Sequence, residues 1–472
     1  MKLLLRYSAF LIGLVLLLSG AQRVLMLKWQ YEDGGLITEW QDEFEQQPKN
    51  TIDVLVTGSS QAYTTFNPLL LWEKTHITSY VVGGPDQTLA AGNYMLRRAL
   101  KTQSPKVVLA EMYGAVLPDK MDETRLHQIF DTQPFSIQKV KALEELKYEN
   151  DSLVDLLVPM FRYHTRWEEL TAVDYAYLLP QKARCLKGFE MRLRTQPVAL
   201  PDRNAPAQPS ELSDTSRAAL DDLRTLCEQK GIQLILWKSP SGIWSRESSL
   251  MMEAYAAEYG LPYLDLCKNA SEIGLDEKTD FDDIKHLNSK GASKATDYFA
   301  NYLTETMRLP SETDAKIAAA WDEENDFYRQ ADKAAVLRRC DEIAAYLPLI
   351  QDKAYTVGMI RTGDGEGSSA VAALQKAGLD ALANEACTAM LDAGVPVMVS
   401  DSVQCEEKIH GVGFALCADN NAAAQGVRIA HQNYAPPDTA GGLTIAVYDH
   451  IMEQVVDVVT FEIDTEECEA LR

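Results

Sequence analysis

The amino-acid sequence predicts an α/β protein in which a parallel β-sheet is flanked by helices and followed by a second, smaller domain that is α/β or β-rich. Three observations support this prediction. Short apolar runs rich in β-branched residues alternate with helical patterns over 50–310, which is typical of buried parallel strands. A charged, Ala-rich helical stretch at 311–353 is predicted to be a linker. Beyond it, over 354–472, closely spaced strand patterns surround one helical pattern.

Five apolar runs are predicted to form the parallel sheet: 52–58, 79–84, 106–113, 232–240 and 261–267. Helical patterns lie between several of them, for example from Ala90 to Lys101 and over 215–230, where Gly231 is expected to end the helix. The stretch 120–210 breaks this rhythm with aromatic-rich helical segments and a Pro-rich loop. It is predicted to be an insertion that caps one end of the sheet.

The last part of the chain is predicted to be a separate folded unit, because 472 residues exceed what one hydrophobic core usually serves. Its predicted helix runs from Ala370 to about Ala393, and the sequence after 441 reads as a two-stranded hairpin. The strand candidates in this part are 355–361, 396–401, 412–419, 443–450 and 454–464. No internal repeat relates this part to the first.

The N-terminal residues have the pattern of an export signal, since Lys2 and Arg6 precede an apolar run from Ala9 to Leu18. The apolar character continues beyond this run, which favours an uncleaved anchor over 1–28. The basic residues are expected to stay on the cytoplasmic side, so the bulk of the chain is expected outside the cell membrane. The alternative is cleavage before Gln22 and a freely secreted protein.

Charge and cysteine usage exclude some classes of function. The chain has 45 basic and 69 acidic residues, a formal net charge of -24, which disfavours nucleic acid as a partner. The eight cysteines form no C-x-x-C pair and no Cys/His pair at zinc-finger spacing. Neither a metal site nor a cofactor is predicted.

The chemistry is predicted from two short motifs. Ser60 ends the run Thr57-Gly58-Ser59-Ser60 at the carboxyl edge of the first strand, where open α/β sheets usually bind ligands. Such a turn also commonly only caps a helix. Asp283 and His286 lie three residues apart before a predicted helix. Because a serine hydroxyl needs a base and the imidazole needs an orienting carboxylate, Ser60, His286 and Asp283 are predicted to be nucleophile, base and orienting acid.

An early Gly-x-Ser and a late Asp-x-x-His resemble the SGNH (GDSL-like) hydrolase family. Residues 53–113 and 286–303 are similar to its membrane-anchored branch, which is associated with alginate O-acetylation and D-alanylation of teichoic acids. The resemblance implies a flavodoxin-like sheet over 50–310, with the backbone amides of Ser60 and Gly84 as oxyanion donors. The Asn-bearing block of the wider family has no match, since the third run ends in Glu111-Met112-Tyr113.

The resemblance also implies a function in the bacterial cell envelope. An acyl group, with acetyl the expected one, would pass through an acyl-enzyme on Ser60 to a cell-surface polysaccharide or to water. The chain would then be an O-acyltransferase or an esterase. A membrane-bound O-acyltransferase is the expected acyl donor, and a surface glycan the expected acceptor. The alternative is a non-catalytic adaptor or glycan-binding component of the same machinery.

Other residues of these kinds are expected to have structural roles. His76, His127 and His164 are expected to have packing or surface roles. Trp237 is expected to pack in the core beside a solvated Lys238. The alternative for Trp237 and Lys238 is that they line the cleft.

Residues 441–449, GGLTIAVYD, resemble a motif of the interleukin-like (EMT inducer) domain, although Gly441 and Thr444 replace its arginine and asparagine. This second resemblance implies a glycan-binding or docking module over 354–472.

Overall fold

The computed structural model describes residues 2–28, 37–179, 184–310, 313–362, 369–384, 387–419, 425–437, 442–463 and 468–472. The chain divides into two compact units, Met1–Asn325 and Asp326–Arg472.

The first unit is built around a five-stranded sheet whose strands are all parallel. Its strands lie in the order β2-β1-β3-β4-β5, which is the order of flavodoxin-like doubly wound sheets. Each strand falls within one of the predicted apolar runs: β1 (Val54–Gly58), β2 (Ser79–Gly83), β3 (Val107–Glu111), β4 (Gln233–Lys238) and β5 (Tyr263–Asp265). The predicted α/β class is therefore confirmed, and the carboxyl ends of all five strands meet at one edge.

Helices flank this sheet and extend from it. They are α1 (Lys2–Leu25), α2 (Ile37–Gln46), α3 (Ser60–Tyr63), α4 (Pro68–Thr75), α5 (Leu89–Ala99), α6 (Glu123–Phe130), α7 (Ile137–Leu146), α8 (Leu153–Leu157), α9 (Met160–Tyr163), α10 (Ala172–Ala176), α11 (Asp214–Lys230), α12 (Arg246–Tyr259), α13 (Ala270–Ile273) and α14 (Ser289–Asn301). As predicted, α11 ends at Gly231, whose φ of 67° is left-handed and favours glycine. Within α1, Leu5–Leu25 is a 21-residue stretch long and apolar enough to cross a membrane, a property that export signals share.

The insertion contributes the short helices α6 to α10 and then an extended segment. This segment lies alongside residues 277–281, which lead into the loop with Asp283 and His286. In this segment Gln196 N donates to Phe281 O over 2.9 Å, and Val198 N donates to Glu277 O over 2.8 Å. The side chain of Val198 is buried in the core of the sheet. The irregular end of the insertion therefore packs beside the loop that carries Asp283 and His286.

The stretch predicted as a linker forms α15 (Ala315–Leu337) and α16 (Ile343–Leu349). Near the start of α15, Trp321 is buried and its ring lies 5.5 Å from that of Trp72 in the first unit. At the other end, Leu337 and residues of α16 belong to the core of the second unit. Trp321 therefore belongs to the first unit, and Leu337 and α16 belong to the second.

The second unit contains two antiparallel sheets over its described residues. Their orders are β15-β14-β13-β6-β7-β8 and β12-β11-β10-β9. The strands are β6 (Tyr355–Thr362), β7 (Thr388–Asp392), β8 (Val395–Ser400), β9 (Gln404–Ile409), β10 (Val412–Cys417), β11 (Gly426–Ile429), β12 (Gln432–Tyr434), β13 (Gly442–Asp449), β14 (Gln454–Phe461) and β15 (Ala470–Leu471). Leu443, Ile445 and Val447 of β13 face a core shared with helices, and Ala446 faces a core shared with the smaller sheet.

The prediction of one helix from Ala370 to Ala393 is wrong. The structure has two short helices, α17 (Ser369–Lys376) and α18 (Asp380–Asn384), separated near Gly378, whose φ is 77°. The end of the predicted helix is β7, which pairs with both β6 and β8. Strand pairing and burial here override the helical propensity of an Ala-rich sequence.

Candidate active site

Ser60 lies at the first position of α3, directly after β1, and its local sequence explains how it is held. Gly58 has a φ of 154°, and a Cβ on it would lie 2.6 Å from Glu111 Cβ, so only glycine fits. Ser59 is the N-cap of α3, and its Oγ accepts a hydrogen bond from Gln61 N over 3.2 Å. The turn that caps the helix therefore also fixes the backbone of Ser60.

His286 and Asp283 lie on a tight loop between Asp280 and the start of α14. Asp282 N donates to His286 O, and Asn288 N donates to Asp280 O, each over 3.0 Å. Asn288 also caps α14 by accepting a hydrogen bond from Gly291 N. Since most of the loop's polar backbone is used in this way, the positions of the two predicted catalytic side chains are well defined.

The structure brings the three predicted residues together. His286 Nε2 lies 2.8 Å from Ser60 Oγ, and His286 Nδ1 lies 2.8 Å from Asp283 Oδ2. Burial raises the pKa of Asp283, but hydrogen bonds from His286 and from the backbone outweigh it and lower this pKa to about 2. An ionised Asp283 accepts a hydrogen bond from Nδ1–H of His286, which leaves Nε2 as the base that faces the serine.

A buried ion pair lies behind Ser60 and was not predicted from the sequence. Glu111, at the end of β3, and Lys238, at the end of β4, have fully buried side chains, with Lys238 Nζ 3.1 Å from Glu111 Oε1. Glu111 Oε2 accepts a hydrogen bond from Ser59 Oγ over 2.9 Å, and Lys238 Nζ donates to Gln61 Oε1. The prediction of a solvated Lys238 is therefore wrong, because the ammonium neutralises the carboxylate that holds Ser59.

The two predicted oxyanion donors differ in availability. Among the described residues the Ser60 amide has no backbone or side-chain acceptor, so it is free to donate to a ligand. The Gly84 amide instead donates to Gly58 O over 3.3 Å. A Cβ on Gly84 would lie 2.7 Å from Ile129 Cγ1, so this glycine makes room for a core side chain. The structure does not present Gly84 as a free donor.

Gln87 is a polar residue at the same edge that the sequence analysis did not single out. Its side chain is buried, and neither amide atom has a hydrogen-bond partner within the described part of the chain. Its Oε1 lies 3.3 Å from the position that a Cβ would take on Gly84. A buried, unsatisfied amide is expected to bind ordered water or a ligand oxygen.

His76, His127 and Thr444 make local contacts of their own. His76 ends α4 in a left-handed conformation, and His127 is buried with its Nδ1 2.7 Å from Asp131 Oδ1. Thr444, in the second unit, is buried with its Oγ1 2.8 Å from Thr460 Oγ1. Gly441 lies outside the described residues.

Comparison with known proteins adds no assignment. A scan of the chain against protein-family models finds no match. A search of curated proteins finds no significantly similar sequence. What the site can do is therefore inferred from its geometry: a serine hydroxyl in contact with an imidazole that a carboxylate orients is suited to nucleophilic attack on an acyl carbon.

Proposed function

We propose that the first unit is an SGNH-type serine acyltransferase or esterase that acts on a cell-surface polysaccharide. The observation that carries this proposal is the continuous hydrogen-bonded chain from Ser60 Oγ through His286 to Asp283, with distances of 2.8 Å at both steps. The flavodoxin-like strand order and the position of Ser60 after β1 support it.

The reaction would proceed in two steps. Ser60 Oγ attacks the acyl carbonyl carbon while its proton passes to His286 Nε2, and Asp283 stabilises the imidazolium that forms. The tetrahedral intermediate collapses, the leaving group takes the proton from His286, and the acyl group remains on Ser60 as an ester. A glycan hydroxyl or water then attacks this ester with His286 as base, which releases Ser60. The acceptor alone distinguishes transferase from esterase.

Labelling of the full-length protein with a fluorophosphonate probe tests this function. The probe phosphonylates serines that an adjacent base activates, so wild type is expected to be labelled and Ser60→Ala is expected to lose all labelling. The exposed Ser104 offers a matched control, and Ser104→Ala is expected to be labelled as strongly as wild type. Absence of labelling in folded wild type would contradict an acyl-enzyme mechanism.

A second candidate function, a non-catalytic adaptor, is favoured by one observation. The Gly84 amide is engaged by Gly58 O, so only the Ser60 backbone amide is available of the two predicted donors. An oxyanion usually requires more than one preorganised donor. The fluorophosphonate experiment separates the two functions, because an adaptor would remain unlabelled. Comparison of the ester mass of surface polysaccharide with and without the protein then identifies a transferred group.

The N-terminal segment is proposed to be an uncleaved membrane anchor. The end of α1 packs on the insertion, where Val24 and Met26 are buried and Arg166 Nη1 donates to Leu25 O and Met26 O over 2.5 and 2.9 Å. The apolar side chains of the preceding turns are exposed, as expected for residues that face lipid. Large apolar side chains of the nearby insertion are exposed too, namely Phe161, Trp167, Tyr175, Leu178 and Leu179.

Aromatic residues at this position suit the membrane interface and support the same assignment. Mass spectrometry of the N-terminus of the mature protein tests it. A chain that begins before the apolar segment supports the anchor, and a chain that begins at Gln22 contradicts it.

An anchored enzyme would work beside a membrane-bound O-acyltransferase as acyl donor. We propose that the second unit, an interleukin-like module, holds the glycan acceptor.

A further inference from the structure

Three potential metal ligands meet at one end of the second unit, although they are far apart in the sequence. Donor atoms of Asp392, His410 and His450 all lie within 4.8 Å of one another. His410 Nε2 lies 2.9 Å from Asp392 Oδ2. The rings of His410 and His450 have centroids 4.9 Å apart and planes at 82°.

Each of these residues comes from a different hairpin. Asp392 ends β7 before a two-residue turn, and His450 follows the last residue of β13. His410 and Gly411 form the two-residue turn between β9 and β10, with φ values of 48° and 87°. Two successive positive φ values are typical of the tight hairpin turns that match strand twist. The turn therefore fixes the backbone of His410 at the end of the smaller sheet.

A fourth side chain links two members of the cluster. Thr356, on β6, donates from Oγ1 to Asp392 Oδ1 over 2.7 Å, and the same Oγ1 lies 2.7 Å from His450 Nε2. Thr356 is buried. Hydrogen bonds of this kind, from a neighbouring side chain to the ligating groups, orient the ligands of metal sites.

We propose that Asp392, His410 and His450 form a binding site for a divalent transition-metal ion, with Zn²⁺ the expected occupant. Two imidazoles and one carboxylate suit Zn²⁺ and disfavour Ca²⁺ and Mg²⁺, which take oxygen ligands. Zinc bonds of about 2.0–2.2 Å would bring tetrahedral donors to about 3.3 Å from one another, so the cluster needs only small side-chain rotations. Three protein ligands leave a fourth position for water or a substrate oxygen.

Solvent can reach the cluster at the His410 side. The side chain of His410 is 61% exposed, so an ion can reach the cluster from solvent.

Titration of the full-length protein with Zn²⁺, in competition with a chromogenic chelator, tests the proposal. Wild type is expected to bind one Zn²⁺ at this site, and His410→Asn is expected to weaken binding by at least about 100-fold, since removal of even an orienting partner costs about 10–100-fold. Asparagine tolerates positive φ, so this variant should keep the turn. Thr356→Val is expected to weaken binding by about 10–100-fold.

His431 provides the matched control, because it is an exposed histidine in the neighbouring turn between β11 and β12. His431→Asn is expected to bind Zn²⁺ as wild type does. Equal Zn²⁺ affinity of His410→Asn and wild type would overturn the proposal, and so would an absence of binding by wild type. The cluster would then be a hydrogen-bonded group in which His410 donates to Asp392. Tighter binding of Ca²⁺ than of Zn²⁺ would also overturn it.

Discussion

Loss of either partner of the buried Glu111–Lys238 pair should destabilise the first unit and disturb the candidate nucleophile. Both side chains have 0% exposure, and their charged atoms are 3.1 Å apart. Lys238→Met leaves the Glu111 carboxylate buried without its counter-charge, and Glu111→Gln leaves the ammonium in the same situation. Breaking a buried pair in this way costs about 3–5 kcal/mol of the free energy of unfolding.

The double variant Glu111→Gln/Lys238→Met distinguishes charge pairing from simple loss of side-chain atoms. Because it leaves no unpaired charge, it should be less destabilised than the sum of the single variants by about 0.5–3 kcal/mol. The single variants should also slow fluorophosphonate labelling of Ser60 by about 100-fold, since Glu111 holds Ser59, and displacement of about 1 Å can cost that much in rate.

Urea unfolding followed by tryptophan fluorescence measures the stability effect, and the time course of labelling measures the site effect. Lys268 offers a matched control, because its 3.4 Å ion pair with Glu253 is exposed, with 59% of the lysine side chain accessible. Lys268→Met should change the free energy of unfolding by less than about 1 kcal/mol. Equal destabilisation by Lys238→Met and Lys268→Met would contradict the expected effect of the buried charge.

Two further predictions concern the loop that carries Asp283 and His286 and the helix that follows it. The pKa of Asp283 is lowered from 3.8 to about 2, so its stabilising contribution is complete above about pH 4 and is lost as the pH falls towards 2. The difference in urea stability between wild type and Asp283→Asn should therefore shrink as the pH falls from about 4 to 2; a difference that grows over this range would be inconsistent. Gly291→Ala would place a Cβ 2.2 Å from Asp280 O. This clash should lower the free energy of unfolding by about 1–3 kcal/mol and slow the labelling of Ser60. Ser293→Ala should change neither the free energy of unfolding nor the labelling rate.

Much of the first unit was predictable because its signals are local. Each parallel strand is a continuous apolar run, and burial on both faces of the sheet requires that pattern. Asp283 and His286 were predictable as a pair because one short turn presents both side chains. Their contact with Ser60 follows from the sheet, since β1 and the final loop meet at its carboxyl edge.

The Glu111–Lys238 pair was not predictable in the same way, because its two residues lie on neighbouring strands that the whole insertion separates in sequence. The available signal was that two buried strands each end in a charged residue. The pairing of these residues could be inferred only once β3 and β4 were known to be neighbours in the sheet. Likewise, Asp392, His410 and His450 have no recognisable spacing because each belongs to a different hairpin. β7 was missed because local propensity favours helix where tertiary pairing imposes a strand.

The separation of Ser60 from His286 affects when the site can form during biosynthesis. Ser60 follows the first strand, whereas His286 comes 226 residues later. At about 5–20 residues per second, a ribosome would complete the imidazole about 11–45 s after the serine. Over that interval the serine has no base and is no more nucleophilic than an ordinary alcohol. For an exported chain, reactivity towards acyl donors would thus begin only after the whole first unit has emerged and folded.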